Sequence, residues 1–171
     1  MSKRSRCVPG RRLIAVDIEN VIGGTVRPAQ ARQARSEITT VLGSRDTDQL
    51  VIGVSPCNLL SCWTVWPGPR YVVRSGKDGA DLALLEVLTD ENIEARFDEV
   101  VLISGDGIFT DAAADLGSHG VRVTVLANPG RLSTDLWLAA TDVRPLRAWH
   151  RPSRNANPKT SNQRRQPVPA A

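Results

Sequence analysis

The chain has 171 residues, 41 % of them hydrophobic and 4 % aromatic, with a formal net charge of +4. That length suits one domain with a sizeable core and excludes two comfortable ones. No apolar run reaches membrane-spanning length, the basic start lacks the apolar stretch of a signal peptide, and the three cysteines and two histidines fall in no zinc-binding spacing, so the composition points away from membrane, secreted and zinc proteins and towards the cytoplasm.

Residues 1–10 read as a disordered basic leader, and Leu13-Ile14-Ala15-Val16 as a first buried strand that ends in the polar run Asp17-Ile18-Glu19-Asn20. Gly23-Gly24 forms a turn, Pro28 suits a helix start, and Ala29 to Leu42 carries Ala31, Ala34, Ile38, Val41 and Leu42 at helical spacing before Gly43 stops it. Gln49 to Val54 is a second strand. A short helix is predicted over Asn58 to Trp63, and Pro67-Gly68-Pro69 breaks the chain before a short third strand, Tyr71-Val72-Val73. After the polar junction from Arg74 to Ala80, Asp81 leads a helix with Leu82, Leu85, Leu88 and Ile93 on one side, closed by Phe97. Val100-Val101-Leu102-Ile103 is the most evident strand. Ser104-Gly105-Asp106-Gly107 breaks it, and Phe109 to Leu116 reads as helix. A fifth strand over Val121 to Leu126, a loop at Asn128-Pro129-Gly130, a helix over Leu132 to Ala140 and a short sixth strand over Val143 to Leu146 complete a folded domain of residues 11–147. Residues 148–171, rich in Pro, Asn, Gln and Arg, read as a disordered basic tail.

Strands alternating with helices predict an α/β protein, a three-layer α/β/α sandwich around a mainly parallel sheet. Right-handed crossovers then bring every strand's carboxyl end to one edge, where ligands sit in such sheets. Asp17 ends the first strand, Asp81 opens the helix after the third, Asp106 follows the fourth, and Asp111 lies about one helical turn further on. Each has a plainer reading, Asp17, Asp81 and Asp106 as turn or helix-cap residues and Asp111 as a solvated helix acid. Gathered at one edge, however, carboxylates repel one another unless a hard cation such as Mg²⁺ holds them, and that ion suits phosphodiester chemistry. The positive charge crowds at the two ends, from Lys3 to Arg12 and from Arg144 to Arg165, as suits a phosphate-rich partner. A Rossmann dinucleotide site is excluded, because the loop after the first strand has Gly23-Gly24 and not the spaced glycines of a pyrophosphate turn. A phosphatase of another α/β fold is argued against by Glu19, which stands where a second aspartate would be expected.

In order and spacing, Val16-Asp17-Ile18-Glu19-Asn20, Gly79-Ala80-Asp81-Leu82-Ala83-Leu84 and Leu102-Ile103-Ser104-Gly105-Asp106-Gly107-Ile108-Phe109 resemble the NYN domain family of the PIN-like nuclease superfamily, over roughly Arg12 to Leu146. The resemblance implies a PIN-like fold and an endoribonuclease dependent on Mg²⁺ or Mn²⁺. Asp17, Asp81 and Asp106 would bind the metal, Asn20 would orient a water or phosphate oxygen, and Lys77 would fill the basic position before Asp81. One departure stands out: family members often carry a second aspartate two residues after that of the Ser-Gly-Asp turn, where this chain has Ile108. Asp111 would then substitute from the next turn, or the site would hold one ion. Arg12, Lys77, Arg147 and Arg151 are the expected contacts to the RNA backbone. Trp63, Trp66 and Trp149 are candidate stacking platforms, with packing the plainer role for each. The alternative is a module of the same fold that binds RNA without cleaving it. Membrane association is not expected, and a homodimer is left open.

Overall fold

The computed structural model describes residues 10–146. The expected tail, with Arg147, Trp149 and Arg151, and all but the last residue of the expected leader lie outside the described residues. Six strands form one sheet: β1 (Arg12–Asp17), β2 (Gln49–Val54), β3 (Arg70–Val73), β4 (Glu99–Ile103), β5 (Arg122–Ala127) and β6 (Asp142–Pro145). Their order is β3-β2-β1-β4-β5-β6, and every neighbouring pair is parallel. The chain thus winds outward from β1 to β3, returns to β1's other side at β4, and winds outward again. The strand order reverses between β1 and β4, and the crevice at a parallel sheet's ligand edge opens at such a point.

The four inner strands bury both faces, and their side chains sort with a period of two. Leu13, Ala15, Val100, Leu102, Val123 and Val125 enter one core, while Ile14, Val16, Ile52, Val101 and Ile103 enter the other. Right-handed crossovers place helices formed before and after the reversal on opposite faces. α1 (Ile18–Ile22), α2 (Pro28–Leu42) and α3 (Pro56–Trp63) cover the second core with Ile18, Val21, Ala31, Ile38 and Cys62. α4 (Gly79–Asp90), α5 (Ile93–Arg96), α6 (Thr110–Ser118) and α7 (Thr134–Ala139) cover the first with Leu84, Val87, Ile93, Leu116 and Leu136. The predicted three-layer sandwich is therefore present, with a sheet that is parallel throughout.

Three local expectations change. The helix led by Asp81 ends at Asp90, because Asn92 takes a left-handed backbone (φ 51°) and α5 starts afresh behind it. Its buried side is Ala83, Leu84, Val87 and Leu88, because an almost wholly apolar stretch does not declare a face from sequence alone. Residues 18–22, read as a polar strand end before a turn, form the one-turn helix α1, closed by Gly23 at φ 87°.

Arg12, expected on RNA, is a correction. It begins β1, at the edge of the sheet opposite the strand carboxyl ends, and is 3 % exposed. Its guanidinium forks onto Asp48, with Nε donating to Oδ1 at 2.9 Å and Nη2 to Oδ2 at 2.7 Å, and it also donates to the Leu42 and Gly43 carbonyls. A cation so enclosed, with four of its five donors bonded within the protein, ties the end of α2 to the first strand and is out of reach of a phosphate.

Candidate active site

The carboxyl end of β1 carries Asp17, buried to 1 % exposure. It caps α1: its Oδ1 accepts from the Asn20 N–H at 3.0 Å, and its Oδ2 accepts from the Ser104 hydroxyl at 2.8 Å. The plainer reading of Asp17 as a cap is thus also true, since one carboxylate does both jobs.

Gly53 lies opposite Asp17 on β2, and the first turn of α4 rests directly on it. A Cβ there would stand 2.8 Å from the Ala80 carbonyl oxygen. Because this position has no side chain, the helix approaches the sheet closely enough for Asp81, the next residue, to bring its carboxyl beside that of Asp17, so that each acts on the other's pKa. Burial, followed by the negative charge of Asp81, pushes the Asp17 pKa up to about 7 against the two hydrogen bonds that oppose it. Asp81 is also raised, first by burial and then by the charges of Asp106, Asp78 and Glu19. Two carboxyls in contact share a proton because both cannot comfortably ionise.

Asp106 arrives from the end of β4. Its N–H donates to Ser104 Oγ at 3.1 Å, and its Oδ1 accepts from the Ile108 N–H at 3.0 Å, which starts the 3₁₀ turn Gly107–Phe109. It is exposed, and its charge reaches Asp81. Asn20 joins the two strand ends: its Oδ1 accepts from the Gly105 N–H at 3.1 Å. The backbone donor fixes which amide atom is oxygen, and so leaves Nδ2 for another acceptor.

Asp17 and Asp81 therefore stand next to each other at the reversal between β1 and β4, and Asp106, at the end of β4, is near enough for its charge to act on Asp81. Asp111 is an exposed residue in the first turn of α6. Ile108 packs its side chain against the first core. Lys77 stands exposed in the turn before α4, beside Asp78. Glu19 is a brace, accepting from the Ser55 N–H at 2.8 Å and Asn58 Nδ2 at 2.9 Å, so that it holds the start of α3 to α1. Glu19, Asn20, Asp78 and Asp81 line a recess of about 160 Å³. Among the described residues, no three His, Cys, Asp or Glu side chains close on a common point as a metal cage. The donors are all hard oxygens, of the kind that Mg²⁺ and Mn²⁺ take, in an open arrangement that leaves room for water and phosphate oxygens. Of the candidate stacking residues, Trp66 is in the core and Trp63 is 57 % exposed.

Sequence reasoning missed Arg131. It stands on the loop after β5, at the same edge, and its Nη1 donates to the Asn20 carbonyl at 3.2 Å. The available signal was an arginine directly after Asn128-Pro129-Gly130, in a loop that leaves a strand's carboxyl end.

A family model described as the NYN domain matches residues 59–147, a span that contains Asp81, Asp106 and Asp111 and starts beyond Asp17 and Asn20. No curated protein matches the chain. Among solved structures it is similar to a protein of unknown function from Vibrio parahaemolyticus, at 19 % identity over 80 % of this chain and 93 % of the other, with a TM-score of 0.58. At that identity the likeness bears on the fold alone. No described helix is long and apolar enough to cross a membrane.

Proposed function

The chain belongs to the NYN domain family of PIN-like nucleases, and from that premise we propose that it is a metal-dependent endoribonuclease whose centre is Asp17, Asp81 and Asp106. The observation that carries this reading is the pairing of buried Asp17 with half-buried Asp81 at the strand reversal. A fold gains nothing from pressing two carboxyls together, whereas a cation between them turns the repulsion into binding.

Asp17, Asp81 and Asp106 would hold Mg²⁺ or Mn²⁺, which when bound polarises a phosphoryl oxygen and acidifies a water. The chain's own groups do the rest. Ser104 and the Asn20 N–H hold the Asp17 carboxylate in one orientation. Asn20 Nδ2, fixed by the bond from its Oδ1 to Gly105, offers a donor to a phosphate oxygen. Lys77, exposed between Gly76 and Asp78 of the recess lining, would supply positive charge for the RNA backbone. Ile108 cannot ligate a cation, and Asp111 stands exposed on the first turn of α6, so we read the site as one for a single ion.

The test is cleavage of single-stranded and structured RNA in Mn²⁺ and in chelator, with Asp81→Asn and Asp106→Asn as controls. The parent is expected to cleave only with metal, and both variants to fall to background. Equal cleavage by Asp106→Asn in a clean preparation would sink the proposal. A second reading, an RNA-binding module without activity, draws on Ile108 and on the lack of a closed cage among the described residues. It predicts RNA binding that chelator does not change, and no product.

A further inference from the structure

The loop from Asn128 to Ser133 folds back over the turn that carries Asp106. The Ser133 N–H donates to the Gly105 carbonyl at 2.8 Å, and Arg131 N–H to the Asn128 carbonyl at 3.1 Å. Asn128, itself buried, donates from Nδ2 to the Val21 carbonyl at 2.9 Å. Gly105 lies so close beneath the loop that any Cβ there would collide with the Arg131 carbonyl. The loop is thus pinned at both ends, and it lays the Arg131 guanidinium across to α1. One Nη donates to the Asn20 carbonyl, and the group lies over Gly23, where a Cβ would meet it at 3.0 Å. This uses one of the guanidinium's five donors. No carboxylate among the described residues pairs with it.

Beside Arg131 is an open hollow of about 500 Å³, lined also by Asn20, Gly105, Asp106, Gly107 and Ser133. It shares Asn20 with the recess that holds Asp81. The Ser133 hydroxyl makes no capping bond to α7. Asp106 turns one oxygen onto its own turn, towards the Ile108 N–H.

We propose that this hollow docks a backbone phosphate of the RNA, one neighbouring the phosphate held at the acid group, with Arg131 as the fixed charge and Ser133 as a hydrogen-bond donor. This rests on the RNA reading above. An edge that carries Asp17, Asp78, Asp81 and Asp106 repels a polyanion, so a strand laid across it needs a cation held in place nearby. A planar guanidinium with unused donors suits phosphate oxygens. Because Asn20 faces both hollows, a strand gripped at Arg131 would be led towards the acids.

The test measures binding of a labelled twelve-nucleotide single-stranded RNA to the full chain in chelator, across a salt series. Arg131→Ala is expected to weaken binding several-fold at low salt and to shrink the log–log salt slope by about 0.7, the share of one phosphate contact on a single strand. Arg131→Lys should keep the slope. Ser133→Asp places a negative charge in the hollow while keeping an equally good N-cap residue, whose charge suits the helix N-terminus, so it should fold as well as the parent and bind less tightly. Unchanged affinity and slope in Arg131→Ala, or unchanged binding in Ser133→Asp, would overturn the docking site, as would a parent that binds no RNA. Cleavage in Mn²⁺ is scored separately. Its absence, with the slope change intact, would overturn the nuclease reading and leave the docking site standing.

Discussion

Asp17 joins structure and chemistry in one side chain. Its carboxyl is raised to about 7 by burial and by Asp81, so in the absence of a cation it holds a proton at pH 6. A cation has to displace that proton. Mn²⁺ affinity is therefore expected to climb about tenfold per pH unit below pH 7 and to level off above it, with about one proton released on binding at pH 6. Calorimetry in buffers of different ionisation enthalpy reads both. An affinity flat from pH 5.5 to 8 would mean that Asp17 is not a ligand. The same repulsion makes a stability prediction. Asp17→Asn should abolish cleavage and yet unfold at a higher temperature than the parent at pH 8 in chelator, by an amount on the order of 1 kcal/mol, because it removes a charge the fold strains to hold.

At the scale of elements, the site depends on how closely α4 approaches β2. Gly53→Ala puts a methyl 2.8 Å from the Ala80 carbonyl, and backbone has to move to accommodate it. The expected cost is about 1–3 kcal/mol of stability. As α4 withdraws, Asp81 separates from Asp17, and the pH dependence of Mn²⁺ binding should flatten with it. A Gly53→Ala variant that keeps both stability and pH dependence would show that the close approach is not what pairs the acids. The elements differ in how far the sequence declares them. β2 was legible to the residue, because Gln49 to Val54 is a β-rich run bounded by Asp48 and by Ser55-Pro56. The α1 helix was not, since five residues are too few for a helical period to show and its signal is only a cap, Asp17 with Asn20 three residues on. Asp17, Asp81 and Asp106 could be placed on one edge because strand ends and helix starts are local features. Asp111 was brought in on sequence distance alone, and a residue on the next helix turn has no local feature that says which way its side chain points. Arg131 and the burial of Arg12 both come from contacts between segments 30 or more residues apart, with partners at Asn20 and at Leu42 to Asp48, and no single stretch of sequence displays those contacts.

Across the whole molecule the two edges of the sheet respond to pH in opposite senses. At the amino edge, burial raises the Asp48 pKa but its bonds to Arg12 and Arg45 outweigh this and hold it below the usual carboxylate range. A lowered folded pKa means stability that is present above the unfolded value of about 3.9 and lost as pH falls through the folded one. At the carboxyl edge Asp17 is raised, so its contribution is complete below the unfolded value and is lost as pH climbs towards about 7. The two groups therefore pull in opposite directions: without metal, Asp48 takes stability away as it is protonated in acid, and Asp17 takes it away as it ionises towards neutral pH. Saturating Mn²⁺ or Mg²⁺ binds the ionised acids and should remove the loss at the carboxyl edge, with no change on the acid side, where Asp48 governs. Arg12→Ala should do the converse. It costs about 3–5 kcal/mol by stranding Asp48, softens the acid limb, and leaves metal binding and the RNA salt slope as they were. Thermal unfolding from pH 3.5 to 8.5, with chelator and with metal, reads all of this in one series. Metal-free stability that rises steadily through pH 7 would mean that the acids of β1 and α4 are not pressed together, and the cation site would go with them.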